Sequence, residues 1–128
     1  MNKELKMWIV VRTDIEMPIG KAMAQAGHAI QVTTMNAMLH DEPNHPFYKG
    51  ENRLIQYLKQ DMPKISVKAK NLAALDRAYN EAKESGIPCS YIVDHGRTVF
   101  AEPTPTVVGI GPCYYDELPK YIQRLQLL

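Results

Sequence analysis

The apolar positions of the chain change period several times, and each change marks an element. Met7 to Val11, in "KMWIVVR", form an unbroken bulky run, the pattern of a strand buried on both faces and therefore central in its sheet. Pro18 and Gly20 interrupt the chain before a stretch rich in Ala and Met. There Met23, Ala26, Ile30 and Ala37 recur at helical spacing and predict a helix from Gly20 to Leu39. Its small residues, among them Ala22, Ala26 and Ala29, would let it lie close against a sheet. A proline-broken polar loop, "HDEPNHPFYKG", leads to "ENRLIQYLKQ", where Leu54, Ile55 and Leu58 predict one face of a short second helix. In "KISVKAK", Ile65, Val67 and Ala69 alternate with Ser66, Lys68 and Lys70, as in a strand with one wet face at a lysine-guarded edge. Asn71 as N-cap, the stripe Leu72, Leu75, Ala78 and Ala82, and the stop at Gly86 predict a third helix. "PCSYIVD" and "TVVGIGPCY" read as two strands whose short connection makes them antiparallel. "DELPKYIQRLQLL" reads as a closing helix bearing Leu118, Ile122 and Leu125.

The order β-α-α-β-α-β-β-α predicts an α/β fold, a mostly parallel sheet with helices on both faces. A length of 128 residues suits one domain, 1–128, around one core. No apolar run reaches the roughly 18 residues of a membrane span, and Met7 to Val11 is too short for a secretory signal. A cytoplasmic protein with no membrane partner is the expectation. Cys89 and Cys113 have neither a second pair nor a histidine at ligand spacing, so they read as strand-end packing residues rather than a zinc site or disulfide framework. The net charge of +1, from 15 basic and 14 acidic residues, leaves an RNA partner open, because a basic patch can sit inside a neutral total.

Two places carry candidate chemistry. Lys21, Gln25 and His28 fall at i, i+4 and i+7, within about 60° of one another on the first turns of the long helix. A cation so early in a helix opposes the macrodipole and needs a reason to be there. His28, on an alanine-rich helix, is expected as a partly buried ring bonded to a backbone carbonyl rather than as a catalyst. Gln25 alone reads equally as a surface amide. The second place is the end of the "SYIVD" strand, where Asp94 is followed by His95, Gly96, Arg97 and Thr98. Asp94 serves there either as a turn cap or as a functional acid, and Thr98 and Thr106 suit strands in any case. With no phosphate loop, no cysteine–histidine pair and no metal-ligand spacing, what remains is acid–base chemistry without metal, or binding alone.

Three blocks in order, "VVRTDIEMPIGKAMAQAGHA", "ISVKAKNLAALDRAYNEAKESGIPCSYIVDHGRT" and "TPTVVGIGP", resemble the type 2 peptidyl-tRNA hydrolases of archaea and eukaryotes across nearly the whole chain. The resemblance implies a three-layer α/β/α domain with a four-stranded mixed sheet whose last strand is antiparallel. It implies hydrolysis of the ester joining a peptide, or an N-blocked amino acid, to tRNA, with peptidyl-tRNA as the partner and neither metal nor cofactor. Carried over by position, it places catalytic residues at Lys21, Asp94, Thr98 and Thr106, with Gln25, His28, His95 and Arg97 in substrate binding. The chain departs from the family pattern at Pro18 and Ile19, where a second lysine and a further glycine are usual, and at His95, where alanine is usual. It also departs in a longer, less basic segment from His40 to Met62. These departures keep two other readings in view: a non-catalytic RNA- or protein-binding domain of the same fold, and a hydrolase for another acyl substrate. Tyr114 and Tyr115 mark a candidate homodimer contact.

Overall fold

The computed structural model describes residues 3–96 and 100–128. The chain runs through β1 (Lys6–Arg12), α1 (Ile19–His40), α2 (Arg53–Leu58), β2 (Lys64–Ala69), α3 (Leu72–Glu84), β3 (Cys89–Asp94) and β4 (Thr104–Cys113). It closes with a 3-10 turn at Tyr115–Glu117 and α4 (Lys120–Gln123). The strands lie in the order β2-β1-β4-β3, with β1 and β2 parallel and β4 antiparallel to both of its neighbours. The α/β fold and the reversed last strand are as the sequence predicts. The mostly parallel sheet is not: β4 inserts between β1 and β3, so β1–β2 is the one adjacent parallel pair, although β1, β2 and β3 all run in the same direction.

β1 is central, and Met7 to Val11 are buried without a break. The strand period divides them. Trp8 and Val10 join Leu75 and Ala78 of α3 and Ile122 of α4 on one face. Ile9 and Val11 join Ala29 of α1 on the other, where Met7 also packs with Leu54 and Tyr57 of α2. These faces form the outer layers of an α/β/α stack. β1, β2 and β3 end on the same side of the sheet, close to where α1 begins, which is where open α/β sheets bind ligands.

α1 lies against the sheet along Gln25, Ala29, Thr33 and Ala37, every fourth residue. The sequence placed Met23 on this inner face, yet Met23 is 69% exposed. The contact is too close for so large a side chain. A Cβ added to Gly109 of β4 would stand 2.3 Å from Thr33 Oγ1 and 2.9 Å from the Ala29 carbonyl oxygen. Only glycine on the strand and small residues on the helix allow that approach. α2 is also rotated from the expected face: it buries Leu54 and Tyr57 and exposes Ile55 and Leu58. Tyr57 supplies bulk against Leu5 and Met7 that a leucine would not.

The closing helix is shorter than its sequence suggests, four residues after Pro119. Leu118 and Ile122 are buried as expected. Beyond α4 the chain extends along the outer edge of β2. Lys68 N–H donates to the Gln126 carbonyl at 2.8 Å, and Leu128 N–H donates to the Ser66 carbonyl at 3.0 Å. Main-chain pairing therefore protects that edge, in addition to the lysines. α3 keeps its predicted cap, the Asn71 side chain accepting from Ala74 N–H at 2.8 Å.

Candidate active site

α1 packs across β4 and β3, which brings its first turns to the carboxyl end of β3. There the Lys21 ammonium donates to Asp94 Oδ2, an ion pair whose side chains are 12% and 7% exposed. This partner gives a cation in a helix's first turn its reason to be there. The other carboxylate oxygen, Oδ1, accepts from Gly96 N–H at 2.9 Å. Gly96 adopts φ +77°, and a Cβ there would press to 3.1 Å against the Glu102 backbone, so the turn requires glycine. Asp94 is thus both turn cap and acid, one role for each oxygen. The Lys21 hydrogen bond, followed by that of Gly96, holds its carboxyl below the ordinary range against the opposing effect of burial, so Asp94 is ionised near neutrality.

Gln25, one turn beyond Lys21, is buried, and Thr106 Oγ1 donates to its Oε1 at 2.6 Å. Thr106 arrives there through a bulge. Ile92 pairs with Val107 and Val93 with Pro105, so Thr106 has no residue opposite it. Arg12, at the end of β1, donates from Nη1 to the Pro105 carbonyl at 3.0 Å. Asp14 accepts from Arg12 Nε and Nη2 at 3.0 and 2.9 Å and fixes that guanidinium. The hydroxyl of Thr106 is 0% exposed and lies behind Gln25, not on the surface of the cleft. With its oxygen engaged, Gln25 is oriented with its amide NH2 directed away from Thr106.

These groups stand at one end of an open cleft of about 650 Å³, bounded by Lys21, Gln25, His28 and Val32 of α1, by Tyr91 to Asp94 of β3 and by His95 just beyond that strand. His28 is exposed on the cleft wall, a correction to the partly buried ring expected. The buried seam advances from Gln25 to Ala29, and position 28 lies about 100° from Ala29, on the open flank. His95 is exposed at the rim. Arg97 and Thr98 lie outside the described residues. Sequence reasoning missed Arg12 and the β3 residues Tyr91 and Val93. The signals for Arg12 were its place in the "VVRTD" block of the resemblance and Pro105, a proline in a strand, which marks an irregularity that something must hold.

Cys89 and Cys113 begin β3 and end β4, both buried and unpaired, and burial pushes their thiols up to about 11 and about 12. Neither is a nucleophile. Among the described residues no three His, Cys, Asp or Glu side chains gather as a metal set, and no helix is long and apolar enough to cross a membrane. What the cleft offers is a fixed ammonium, an ionised carboxylate and an oriented amide beside solvent. Together these can orient a water molecule and stabilise an oxyanion.

The profile of the family described as peptidyl-tRNA hydrolase PTH2 matches residues 5–128. The chain is 35% identical to a peptidyl-tRNA hydrolase of Methanocaldococcus jannaschii over 124 residues, 97% of this chain and 100% of that protein. It is 37% identical to a peptidyl-tRNA hydrolase of Sulfolobus acidocaldarius, again over 124 residues and the same shares of each. A peptidyl-tRNA hydrolase of Sulfurisphaera tokodaii is 35% identical over 96% of this chain and 98% of its own.

Proposed function

The chain belongs to the peptidyl-tRNA hydrolase PTH2 family, and on that premise we propose that the Lys21–Asp94 cleft is where it acts. The protein hydrolyses the ester between a peptide and tRNA. The observation that carries the site is the pairing of Lys21 with Asp94 at the mouth of the cleft beside the oriented Gln25 amide. In the proposed reaction the Asp94 carboxylate accepts a proton from a water molecule as that water attacks the ester carbonyl. The Lys21 ammonium and the Gln25 amide N–H donate to the oxyanion that develops. Collapse of the tetrahedral intermediate breaks the bond to the ribose oxygen, which leaves with the proton, giving a peptide acid and free tRNA. Thr106 is a positioning residue that acts through Gln25. Thr98 and Arg97 belong to the proposal by their place in the chain after Asp94, as a further hydroxyl and a cation for the RNA. His28 and His95, on opposite walls of the cleft, bind the substrate.

Two departures noted in the sequence weaken neither the pair nor its cleft. Pro18 sits at the N-cap of α1, its carbonyl accepting from Ala22 N–H at 2.9 Å, and His95 stands at the rim. The non-catalytic reading and the alternative acyl substrate are accordingly not favoured. A cytoplasmic location and a homodimer complete the proposal. The location follows from where translation supplies peptidyl-tRNA. The dimer is supported by the apolar outer face of α1, where Met35, Met38 and Leu39 are exposed, and by exposed Tyr115. Light scattering at micromolar concentration tests the dimer, and a monomer mass rejects it. Release of an N-acetylated amino acid from its tRNA tests the site. Turnover by the wild type with a loss of about 10²-fold or more in Lys21→Ala is expected, and equal rates would remove Lys21 from the mechanism.

A further inference from the structure

β3 has a free edge, and that edge leads to the catalytic pair. It is the outermost strand of the sheet, paired with β4 on one side and with no other strand among the described residues. The direction of its main-chain groups is fixed at its start. Gly111 N–H of β4 donates to the Pro88 carbonyl at 2.8 Å, whereas the next carbonyl, Cys89, accepts from Asn36 Nδ2 of α1 at 2.7 Å. Pro88 therefore faces β4 and Cys89 faces away. The alternation of an antiparallel strand then turns the N–H and C=O of Tyr91 and Val93 outward as well. The irregularity between Ile92 and Val93 leaves this unchanged, because the unpaired residue, Thr106, is on β4. Tyr91, Ile92 and Val93 line the same cleft as Lys21, Gln25 and Asp94, and none of the three is fully buried. At about 3.3 Å per residue, the edge from Tyr91 to Asp94 spans roughly 10 Å.

We propose that the peptide part of the substrate binds as a fifth strand on the outer edge of β3, parallel to it, with its ester carbonyl at Lys21 and Asp94. This rests on the site reading above. The polarity is set by the chemistry. The ester is at the carboxyl terminus of the peptide, and the catalytic pair is at the carboxyl end of β3, so the two chains run in the same direction. With the ester-bearing residue opposite Asp94, its N–H donates to the Val93 carbonyl. The carbonyl of the third residue back from the ester accepts from Val93 N–H, and the N–H of that third residue donates to the Tyr91 carbonyl. The intervening second amide points away from the sheet. Strand addition recognises main chain and not side chain, so peptides of any sequence are accepted. Asn36 closes the far end of the edge by holding the Cys89 carbonyl, which limits the paired length to about three residues.

The test uses the wild-type protein and tRNAs bearing acetyl-aminoacyl, acetyl-dipeptidyl and acetyl-tripeptidyl groups of alanine, with single N-methyl substitutions in the longest. KM should fall by about tenfold in total from the shortest to the longest substrate as two hydrogen bonds are added, with kcat little changed. N-methylation of the third amide from the ester should cancel the last of that gain, and N-methylation of the second should not. A KM independent of length overturns the proposal, while loss of acetyl-aminoacyl-tRNA hydrolysis in Lys21→Ala run alongside still upholds the site. A length dependence that is indifferent to which amide is methylated also overturns it, because recognition would then lie in side chains. No hydrolysis of any substrate refutes the site reading and this inference together.

Discussion

Gly109→Ala tests how the fold places the catalytic residues, because it adds one methyl group at the closest helix–sheet contact. The new Cβ would stand 2.3 Å from Thr33 Oγ1, 2.9 Å from the Ala29 carbonyl oxygen and 3.1 Å from Ser90 Oγ, where about 3.4 Å is needed for ordinary contact. Thr33 can rotate, but it then leaves its 2.7 Å hydrogen bond with Ser90, at about 1 kcal/mol. The Ala29 carbonyl is backbone, so α1 itself must move out by about 0.5 Å, an overpacking cost of about 1–3 kcal/mol. The sum, about 2–4 kcal/mol, should appear as a lower urea midpoint with an unchanged denaturant slope. Ala29 is one turn from Gln25 and two from Lys21, so the displacement reaches the site. A misplacement of this order should lower kcat by about tenfold, on the way to the roughly 10²-fold associated with 1 Å. The variant should still fold, since the rest of the core is intact. Wild-type stability together with wild-type kcat would refute the claim that this contact sets the position of the site.

Thr106→Val keeps the shape of the bulge and removes the donor to Gln25, so kcat is expected to fall by about tenfold with far-ultraviolet circular dichroism unchanged, and unaltered kcat would dismiss Thr106 as a positioning residue. Asp94 has a folded pKa below its unfolded one, so its charge stabilises the fold above about pH 4 and that contribution is lost as pH falls through the folded value. A pH–rate profile should accordingly show its acid limb below about pH 4, moving upward in Lys21→Ala, and a limb at the same pH in both proteins would contradict the pairing. His40 is shifted in the same direction for the opposite reason, its charged form being disfavoured: burial, with His45 stacked at 4.2 Å, pushes its pKa down to about 4. The unfolded chain then takes up a proton from about pH 6.5 downward and the folded one does not, so stability falls between pH 6.5 and 4, by on the order of 1 kcal/mol for a partly buried ring. Urea midpoints at pH 7 and 4.5 should differ less in His40→Phe than in the wild type.

Strand and helix order were legible because each depends on local periodicity: the unbroken run Met7 to Val11 could only be a doubly buried strand, and Asn71 caps α3 as its type predicts. The inner face of α1 was not legible from its own spacing. It was set by an absent side chain, Gly109, more than 70 residues away in the chain, which admits Ala29 and Thr33 and expels Met23. The last helix failed for a related reason: the free edge of β2 offered main-chain hydrogen bonds that residues 126–128 took in place of helical ones. Of the site, the residues themselves marked Lys21 as a cation in need of a reason and Asp94 as a turn cap or an acid, the family resemblance named both as catalytic, and the fold shows them as an ion pair. Arg12 and the bulge at Thr106 depend on a register slip, which leaves almost no trace in sequence beyond Pro105.

The most direct measurement is single-turnover hydrolysis of N-acetyl-aminoacyl-tRNA by the wild type and by Asp94→Asn, which keeps the acceptor for Gly96 N–H while removing the charge. The account predicts that the variant folds and binds tRNA but loses at least about 10²-fold in rate. A rate within about twofold of the wild type would place the chemistry elsewhere in the protein.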